Sequence, residues 1–198
     1  MGLDILFYAP NIIGYIRIIL ASLAFVLYTQ PLHFVILYAI SISLDAVDGI
    51  VARRLNQTSA FGAWFDVVID LYGRGLLWCR LYSWGYLEVM FEWMTFLSTH
   101  VKGPNWKRTE KDFPKIVVMV MANGFKTPMG FLAVGSLHIL PLWLYCYEMN
   151  FFTQTLLMPV WMQLAGIAVL TVGRVVCFSV ELFYLIFYLK QLLHQDDK

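Results

Sequence analysis

Long apolar runs dominate the pattern of hydrophobic and polar positions along this chain. A helix of about twenty apolar residues spans a bilayer, and several runs approach or exceed that length. We predict six transmembrane helices, at residues 11–29, 32–51, 62–81, 86–101, 116–147 and 156–189. The fourth run is short and contains Glu88 and Glu92. The fifth and sixth are longer than a bilayer requires, so they should tilt, kink or protrude, with Pro128 and Pro141 as kink points.

Composition supports a membrane protein of the all-α class. Of the 198 residues 60% are hydrophobic and only 14% are charged, and the mean hydropathy is +0.69. A soluble core of this size does not require so much apolar surface. No repeat or soluble second domain is visible, so we expect a single polytopic domain over residues 1–198. The net charge of +1 gives no electrostatic basis for nucleic acid binding.

Basic residues are distributed unequally between the two sides predicted for the membrane. Arg80 falls on one side. The other side carries Arg53, Arg54, Lys102, Lys107, Arg108, Lys111, Lys115, Lys190 and Lys198. Cytosolic loops are enriched in Lys and Arg, so this second side is predicted to be cytosolic. Both termini are then cytosolic as well.

A cluster of charged residues interrupts the second and third apolar runs. The pattern is D-x-x-D-G-x-x-A-R-x8-G-x-x-x-D-x-x-x-D, formed by Asp45, Asp48, Gly49, Ala52, Arg53, Gly62, Asp66 and Asp70. Charged side chains in a bilayer are costly and normally face a cavity or a partner. Packing alone does not require these residues, so they indicate a functional site at the cytosolic ends of the second and third helices.

The spacing of the aspartates places them on two helix faces. Asp45 and Asp48 are three residues apart, and Asp66 and Asp70 are four apart, so each pair shares a face. We expect an antiparallel helix pair joined at residues 54–61 to bring the two faces together. Closely packed carboxylates repel one another, and a divalent cation relieves that repulsion. All-oxygen ligands favour Mg²⁺ or Mn²⁺, and hard cations favour phosphate chemistry.

Small residues and an arginine accompany these carboxylates. Gly49 and Ala52 lack bulky side chains, which would let a planar or phosphorylated ligand approach the backbone. Arg53 is suited to pairing with a phosphate. Taken singly, the small pair is also compatible with a tight helix contact, and Arg53 with a purely topogenic charge. Their combination with four aspartates favours a site.

The pattern resembles the signature of the CDP-alcohol phosphotransferases, and every fixed position of that signature is present. Within the family, segments of this chain resemble the eukaryotic phosphatidylinositol synthases, at residues 10–17, 44–49, 55–58 and 61–63. The resemblance covers residues 7–70 well. Beyond residue 70 it is based on hydropathy and helix count.

The resemblance implies an activity. The donor would be CDP-diacylglycerol, the acceptor myo-inositol, and the products phosphatidylinositol and CMP. A two-metal site would use Asp45, Asp48, Asp66 and Asp70, and Asp70 would also be the general base. The CDP-lipid would be bound by Gly49, Ala52, Arg53, Thr58 and Gly62. The resemblance also implies an endoplasmic reticulum location and a homodimer.

The chain departs from this branch of the family after Asp70. Leu71 stands where these synthases usually carry arginine. Arg74, one turn further, is predicted to replace it, and Lys126 in the loosely similar segment 123–128 is a second candidate for acceptor binding. These departures leave two alternatives open. One is the same chemistry with another acceptor, such as glycerol 3-phosphate, and the other is a CDP-lipid-binding scaffold of low activity.

Two further groups of charged residues lie inside apolar runs. Arg17, in the first helix, either reaches the polar pocket or extends to the cytosolic surface, and the sequence does not choose between these. Arg174 and Glu181 are seven residues apart on one face of the last helix. We expect them to form a structural ion pair with neighbouring groups, because charges within membranes usually pair.

Overall fold

The computed structural model describes residues 2–100 and 113–196. Within these ranges the chain is helical and contains no strand, which confirms the predicted all-α class. Short 3-10 helices cover Leu3–Phe7 and Ala122–Phe125. The α-helices are α1 (Ala9–Val26), α2 (Pro31–Arg54), α3 (Ala60–Leu81), α4 (Gly85–His100), α5 (Lys115–Met121), α6 (Pro128–Glu148), α7 (Phe151–Gln154) and α8 (Val160–Asp196).

Four of these helices are long and apolar enough to cross a membrane, namely α1, α2, α6 and α8 up to His194. The predicted third and fourth spans correspond to α3 and α4. α3 has 22 residues but contains Asp66, Asp70, Arg74 and Arg80. α4 has only 16 residues, and Val101, where its predicted span ends, lies outside the described residues. Length and apolar composition therefore support four of the six predicted spans.

The predicted fifth helix, at residues 116–147, is two helices in the structure. α5 ends at Met121, and the backbone then adopts positive φ at Asn123, Gly124 and Phe125. Thr127 begins the next helix by accepting a hydrogen bond from the Gly130 amide at 3.1 Å. A single kinked helix was therefore the wrong prediction, because this turn ends one helix and caps another. Pro141 does lie inside α6.

The predicted sixth helix begins later and ends later than expected. The short helix α7 precedes it, and α8 runs over 37 residues, about 55 Å at the helical rise. This exceeds the thickness of a bilayer. The basic residues predicted for the loop after α4, from Lys102 to Lys111, lie outside the described residues.

α1 is the helix that organises the site, since it packs against both α2 and α3. A Cβ at Gly14 would approach Phe65 within 2.8 Å and Ile69 within 2.9 Å, so the contact between α1 and α3 requires glycine. On the other side, Ser41 of α2 donates to the Arg17 carbonyl at 2.9 Å. We expected an antiparallel pair of α2 and α3 to bring the two aspartate faces together. In the structure α2 packs mainly on α1, whereas α3 packs on both α4 and α1.

Contacts between turns define the two ends of the bundle. At one end, the Ala9 amide donates to Gln57 Oε1 at 2.9 Å, which joins the start of α1 to the α2–α3 turn. At the other end, Arg80 lies 5.0 Å from the Tyr28 ring centroid, and Tyr145 donates to the Tyr28 carbonyl at 2.6 Å. Helices α1, α3 and α6 therefore run in the same direction.

Candidate active site

The four aspartates of the sequence pattern converge on Arg17. Its Nη1 donates to Asp48 Oδ2 at 2.8 Å and to Asp66 Oδ1 at 2.7 Å. Its Nη2 donates to Asp70 Oδ1 at 2.6 Å and lies 2.8 Å from Asp45 Oδ1. Arg17 is only 2% exposed. One buried guanidinium from α1 thus connects the carboxylates of α2 with those of α3.

This arrangement decides between the two interpretations of Arg17, which faces the polar pocket and not the surface. The sequence contained a usable signal. Gly14 and Ala21 lie three residues before Arg17 and four after it, on the same helix face. Both are buried, so small residues identify this face of α1 as the one packed inside the bundle. An arginine centred on that face points inward.

The carboxylates fit a divalent cation by geometry and by charge. Asp45, Asp48 and Asp66 each offer an oxygen, and these oxygens lie within 4.8 Å of one another. One guanidinium facing four carboxylates leaves three negative charges unbalanced if all four ionise. Carboxylate oxygens are the ligands that hard divalent cations prefer. The acidic cluster is therefore suited to a metal, as the sequence predicted.

A cavity of about 160 Å³ lies beside the cluster. Asp48 and Asp66 of the cluster line it. Each residue predicted to bind the CDP-lipid lines it as well, namely Gly49, Ala52, Arg53, Thr58 and Gly62. Eight further lining residues were not predicted for this role: Pro10, Asn11, Gly14, Gln57, Ser59, Ala63, Phe65 and Ile69. We call this space the donor cavity.

The local structure of α2 and the α2–α3 turn shapes the donor cavity. The guanidinium of Arg53 lies over Gly49, where a Cβ would be in ordinary van der Waals contact, 3.4 Å from Nη1. The arginine therefore folds back along α2, and both residues line the cavity. Ser59 caps α3 by accepting from the Gly62 amide at 2.9 Å. With Gln57 bonded to the start of α1, both ends of the turn are fixed.

Arg74, predicted for acceptor binding, lies next to Asp70. It is buried, its Nη1 is 3.6 Å from Asp70 Oδ2, and its Nε donates to Glu92 Oε2 at 2.9 Å. The other candidate, Lys126, is exposed and precedes α6. It lines neither of the two cavities near the aspartates. The structure therefore brings Arg74 to the site but does not bring Lys126 there.

His138 of α6 is a site residue that the sequence did not reveal. Its Nδ1 and Nε2 lie 3.2 and 3.3 Å from Arg74 Nη1, and Nε2 is 3.7 Å from Asp70 Oδ2. The four histidines of the chain show no ligand spacing, so only the packing of α6 on α3 could identify this one.

Arg174 belongs to a different cluster. Its Nη1 donates to Glu181 Oε2 at 2.7 Å, and its Nη2 donates to Glu88 Oε2 at 2.6 Å. The predicted ion pair within α8 is confirmed, and Glu88 from α4 extends it. We call these three residues the α4–α8 cluster.

Comparison with known proteins finds a matching family model and several similar proteins. The family model for CDP-alcohol phosphatidyltransferase matches residues 7–165. The Arabidopsis thaliana protein named CDP-diacylglycerol–inositol 3-phosphatidyltransferase 1 is 36% identical over 124 residues, which cover 56% of this chain and 53% of that protein. The Saccharomyces cerevisiae protein of the same activity name is 46% identical over 78 residues, 39% of this chain and 36% of that protein.

An animal relative gives a similar match. The Rattus norvegicus CDP-diacylglycerol–inositol 3-phosphatidyltransferase is 34% identical over 114 residues, which cover 50% of this chain and 53% of that protein. The chain thus spans about half the length of the plant and animal relatives it matches. No solved structure matches this chain.

Proposed function

The chain belongs to the CDP-alcohol phosphatidyltransferase family, and we propose that it transfers a phosphatidyl group from CDP-diacylglycerol to myo-inositol. The products are phosphatidylinositol and CMP. The observation that carries this proposal is the convergence of four aspartates beside a cavity lined by the small and basic residues of the same sequence pattern. The names of the similar proteins support inositol as the acceptor.

Donor binding is assigned to the donor cavity. Arg53 pairs with the pyrophosphate, and Gly49 and Ala52 leave room for the nucleotide to approach α2. Thr58 lines the cavity from the α2–α3 turn, and Gly62 lines it from the first turn of α3. Asp45, Asp48, Asp66 and Asp70 would hold Mg²⁺ or Mn²⁺, which neutralises charge on the pyrophosphate and on the departing CMP. The lipid chains extend into the bilayer.

Asp70 is assigned as the general base. A hydroxyl oxygen of inositol forms a bond to the β-phosphorus of the donor, and the bond from that phosphorus to the oxygen of CMP breaks. Asp70 accepts the proton of the attacking hydroxyl, and CMP leaves with its electron pair. Arg17 holds Asp70 Oδ1 at 2.6 Å, so this carboxylate is already oriented within the cluster. Hydrogen-bond reach to the hydroxyl is the main requirement for such a base.

The proposed arrangement in the membrane has six spans. α3 is about 33 Å long at the helical rise, enough to cross the hydrocarbon core, and its charged residues face partners inside the bundle. α4 is shorter, and its Glu88 and Glu92 are likewise paired. Arg53 and Arg54 lie at the end opposite Arg80, which favours a cytosolic active site and cytosolic termini. The endoplasmic reticulum and a homodimer are proposals from the family resemblance.

The test is a direct assay of the purified protein in detergent. CMP release from CDP-diacylglycerol is followed with Mg²⁺, Mn²⁺ or a chelator, and with inositol or glycerol 3-phosphate as acceptor. We expect metal-dependent CMP release with inositol alone. CMP release with glycerol 3-phosphate alone would show that this compound, and not inositol, is the acceptor. CDP-lipid binding without CMP release from any acceptor would favour the scaffold alternative.

A further inference from the structure

We propose that His138, together with Asp70 and Arg74, binds a non-reacting hydroxyl group of the acceptor and selects an uncharged polyol over a phosphorylated alcohol. This inference rests on the proposed function, since it concerns the acceptor of the same reaction. The residues come from two helices, α3 and α6, that meet beyond the aspartate cluster.

His138 and Arg74 both lie just beyond hydrogen-bond distance of Asp70 Oδ2. Nε2 of His138 lies 3.7 Å from Asp70 Oδ2, and Nη1 of Arg74 lies 3.6 Å from the same oxygen. Both distances are too long for a direct hydrogen bond of normal length. An oxygen that bridges these groups must lie beside them, and a cavity adjoins all three residues. Asp70 Oδ1 is turned toward Arg17, so Oδ2 is the oxygen nearest to His138 and Arg74.

The hydrogen-bond donors and acceptors of His138, Arg74 and Asp70 match a hydroxyl group. The guanidinium of Arg74 can only donate, and its Nη1 lies within 3.3 Å of both ring nitrogens of His138. In the neutral imidazole ring one nitrogen accepts, and the other carries a hydrogen and donates. Asp70 Oδ2 accepts. A hydroxyl group both donates and accepts, so it can donate to Asp70 while it accepts from His138 or Arg74.

The cavity at this place has the size of a single hydroxyl group. It measures about 20 Å³ and is lined by His138, Asp70 and Arg74 together with Tyr38 and Ser41. A space of about 10–15 Å³ is enough for one water molecule. A phosphate group carries four oxygens around phosphorus and is too large for it. We call this space the acceptor cavity.

Charge also argues against a phosphorylated acceptor here. The two cations that line the acceptor cavity are Arg17 and Arg74. Arg17 already faces four carboxylates, and Arg74 is paired with Glu92 at 2.9 Å and lies near Asp70. A phosphate dianion would therefore meet cations that carboxylates already compensate. A neutral hydroxyl requires no additional counter-charge.

The experiment compares His138→Ala and His138→Gln with the wild-type protein in the CMP-release assay, using inositol and a panel of monodeoxyinositols. Losing the hydrogen bonds of one hydroxyl group should raise the KM for inositol about tenfold in His138→Ala. The KM for CDP-diacylglycerol should stay within about twofold. His138→Gln keeps an amide donor and acceptor, so it should recover part of the loss.

The deoxy panel identifies the hydroxyl group. With the wild-type protein, one monodeoxyinositol should have a KM about tenfold higher than that of inositol. With His138→Ala the same compound and inositol should have equal KM values, because the missing hydroxyl and the missing ring remove the same contact. Ile139→Ala, at the exposed neighbouring position on α6, is the matched control and should leave both KM values unchanged.

Specific outcomes would overturn the proposal. The first is an unchanged KM for inositol in His138→Ala, and the second is an equal rise in the KM values for both substrates. The third is that every monodeoxyinositol raises the KM by the same factor in His138→Ala as in the wild-type protein. A wild-type protein inactive with inositol would contradict the proposed function instead. If such a protein accepts another uncharged polyol with the same dependence on His138, the inference about the acceptor cavity stands.

Discussion

Two buried arginines in this bundle have different charge environments. Arg17 faces four carboxylates beside the donor cavity. Arg174, in the α4–α8 cluster, faces Glu88 and Glu181, and it lines neither of the two cavities near the aspartates. Both arginines are almost fully buried, so burial of a charge does not by itself distinguish them.

The difference lies in the unbalanced charge and in the adjoining space. An acidic excess around Arg17 favours further cations, and the cavity beside it admits a ligand. The α4–α8 cluster has less excess charge, and its contacts connect α4 with α8. A charged group inside a membrane bundle is therefore better evidence of a site when carboxylates outnumber cations and a cavity adjoins them. The predictions below test this distinction.

The largest effect is expected for Asp70→Asn. An amide cannot accept the proton of the attacking hydroxyl, so turnover should fall by about a thousandfold. Binding of CDP-diacylglycerol should partly survive, because the residues of the donor cavity are unchanged. CMP release and binding of the donor lipid are measured on the same preparation. Asp4→Asn, an exposed carboxylate in the first 3-10 helix, is the matched control.

Wild-type turnover in Asp70→Asn would show that this carboxylate is not the base. It would also remove the main functional difference that we draw between the aspartate cluster and the α4–α8 cluster.

Arg17→Met should produce the next largest effect, on stability. Without the guanidinium the carboxylates repel one another. The free energy of unfolding in chelator should fall by about 3 kcal/mol. This is the lower end of the range for breaking a buried ion pair, and it applies because Asp45 and Asp66 are partly exposed. Mn²⁺ should reduce the deficit by supplying positive charge to the same oxygens. Thermal unfolding in detergent, with chelator and with Mn²⁺, measures both effects.

Arg53→Met is the matched control for Arg17→Met, since Arg53 lies over Gly49 and lines the donor cavity. It should weaken donor binding without the loss of stability in chelator. Equal thermal stability of Arg17→Met and the wild-type protein in chelator would contradict the role of Arg17 as the cation that holds the cluster together.

Neutralising the α4–α8 cluster should have a smaller effect. Arg174→Gln alone leaves two carboxylates without their cation and should destabilise the fold by about 3 kcal/mol. Adding Glu88→Gln and Glu181→Gln should restore stability to within about 1 kcal/mol, since a fully neutral cluster has no unpaired charge. Specific activity per folded molecule should stay within about twofold. A triple variant that is folded but inactive would place this cluster in the reaction.

The donor half of the site could be predicted from residues close in sequence. Asp45, Asp48, Asp66 and Asp70 have helical spacing, and the cost of charge in a membrane makes such a pattern informative. Helix packing was less predictable. The sequence left open whether Arg17 of α1 reaches the pocket, although this arginine connects α2 with α3. Contacts between distant segments depend on which small residues meet, as Gly14 does with Phe65, and hydropathy does not show this.

The acceptor half was predicted less well for the same reason. Arg74 could be predicted because it lies one turn after Asp70 on the same helix. His138 joins the site from α6, 68 positions beyond Asp70 in the sequence, and no local pattern marks it. The break between α5 and α6 did have a local signal. Asn123-Gly124 is a turn dipeptide, and Thr127-Pro128 is a capping residue followed by proline at the start of a helix.

The smallest effect is expected for Lys126→Ala. The sequence suggested Lys126 as an acceptor residue, but it is exposed and precedes the first residue of α6. His138 lies ten residues after Pro128, about 15 Å further along the helix axis at the helical rise. An exposed substitution away from the site changes free energies by about 0.5 kcal/mol or less, so the KM for inositol should change by no more than about twofold. If Lys126→Ala raised that KM as much as His138→Ala, the acceptor would extend from the acceptor cavity to the start of α6. Inositol recognition would then combine the buried contact with a charged contact near the α5–α6 turn.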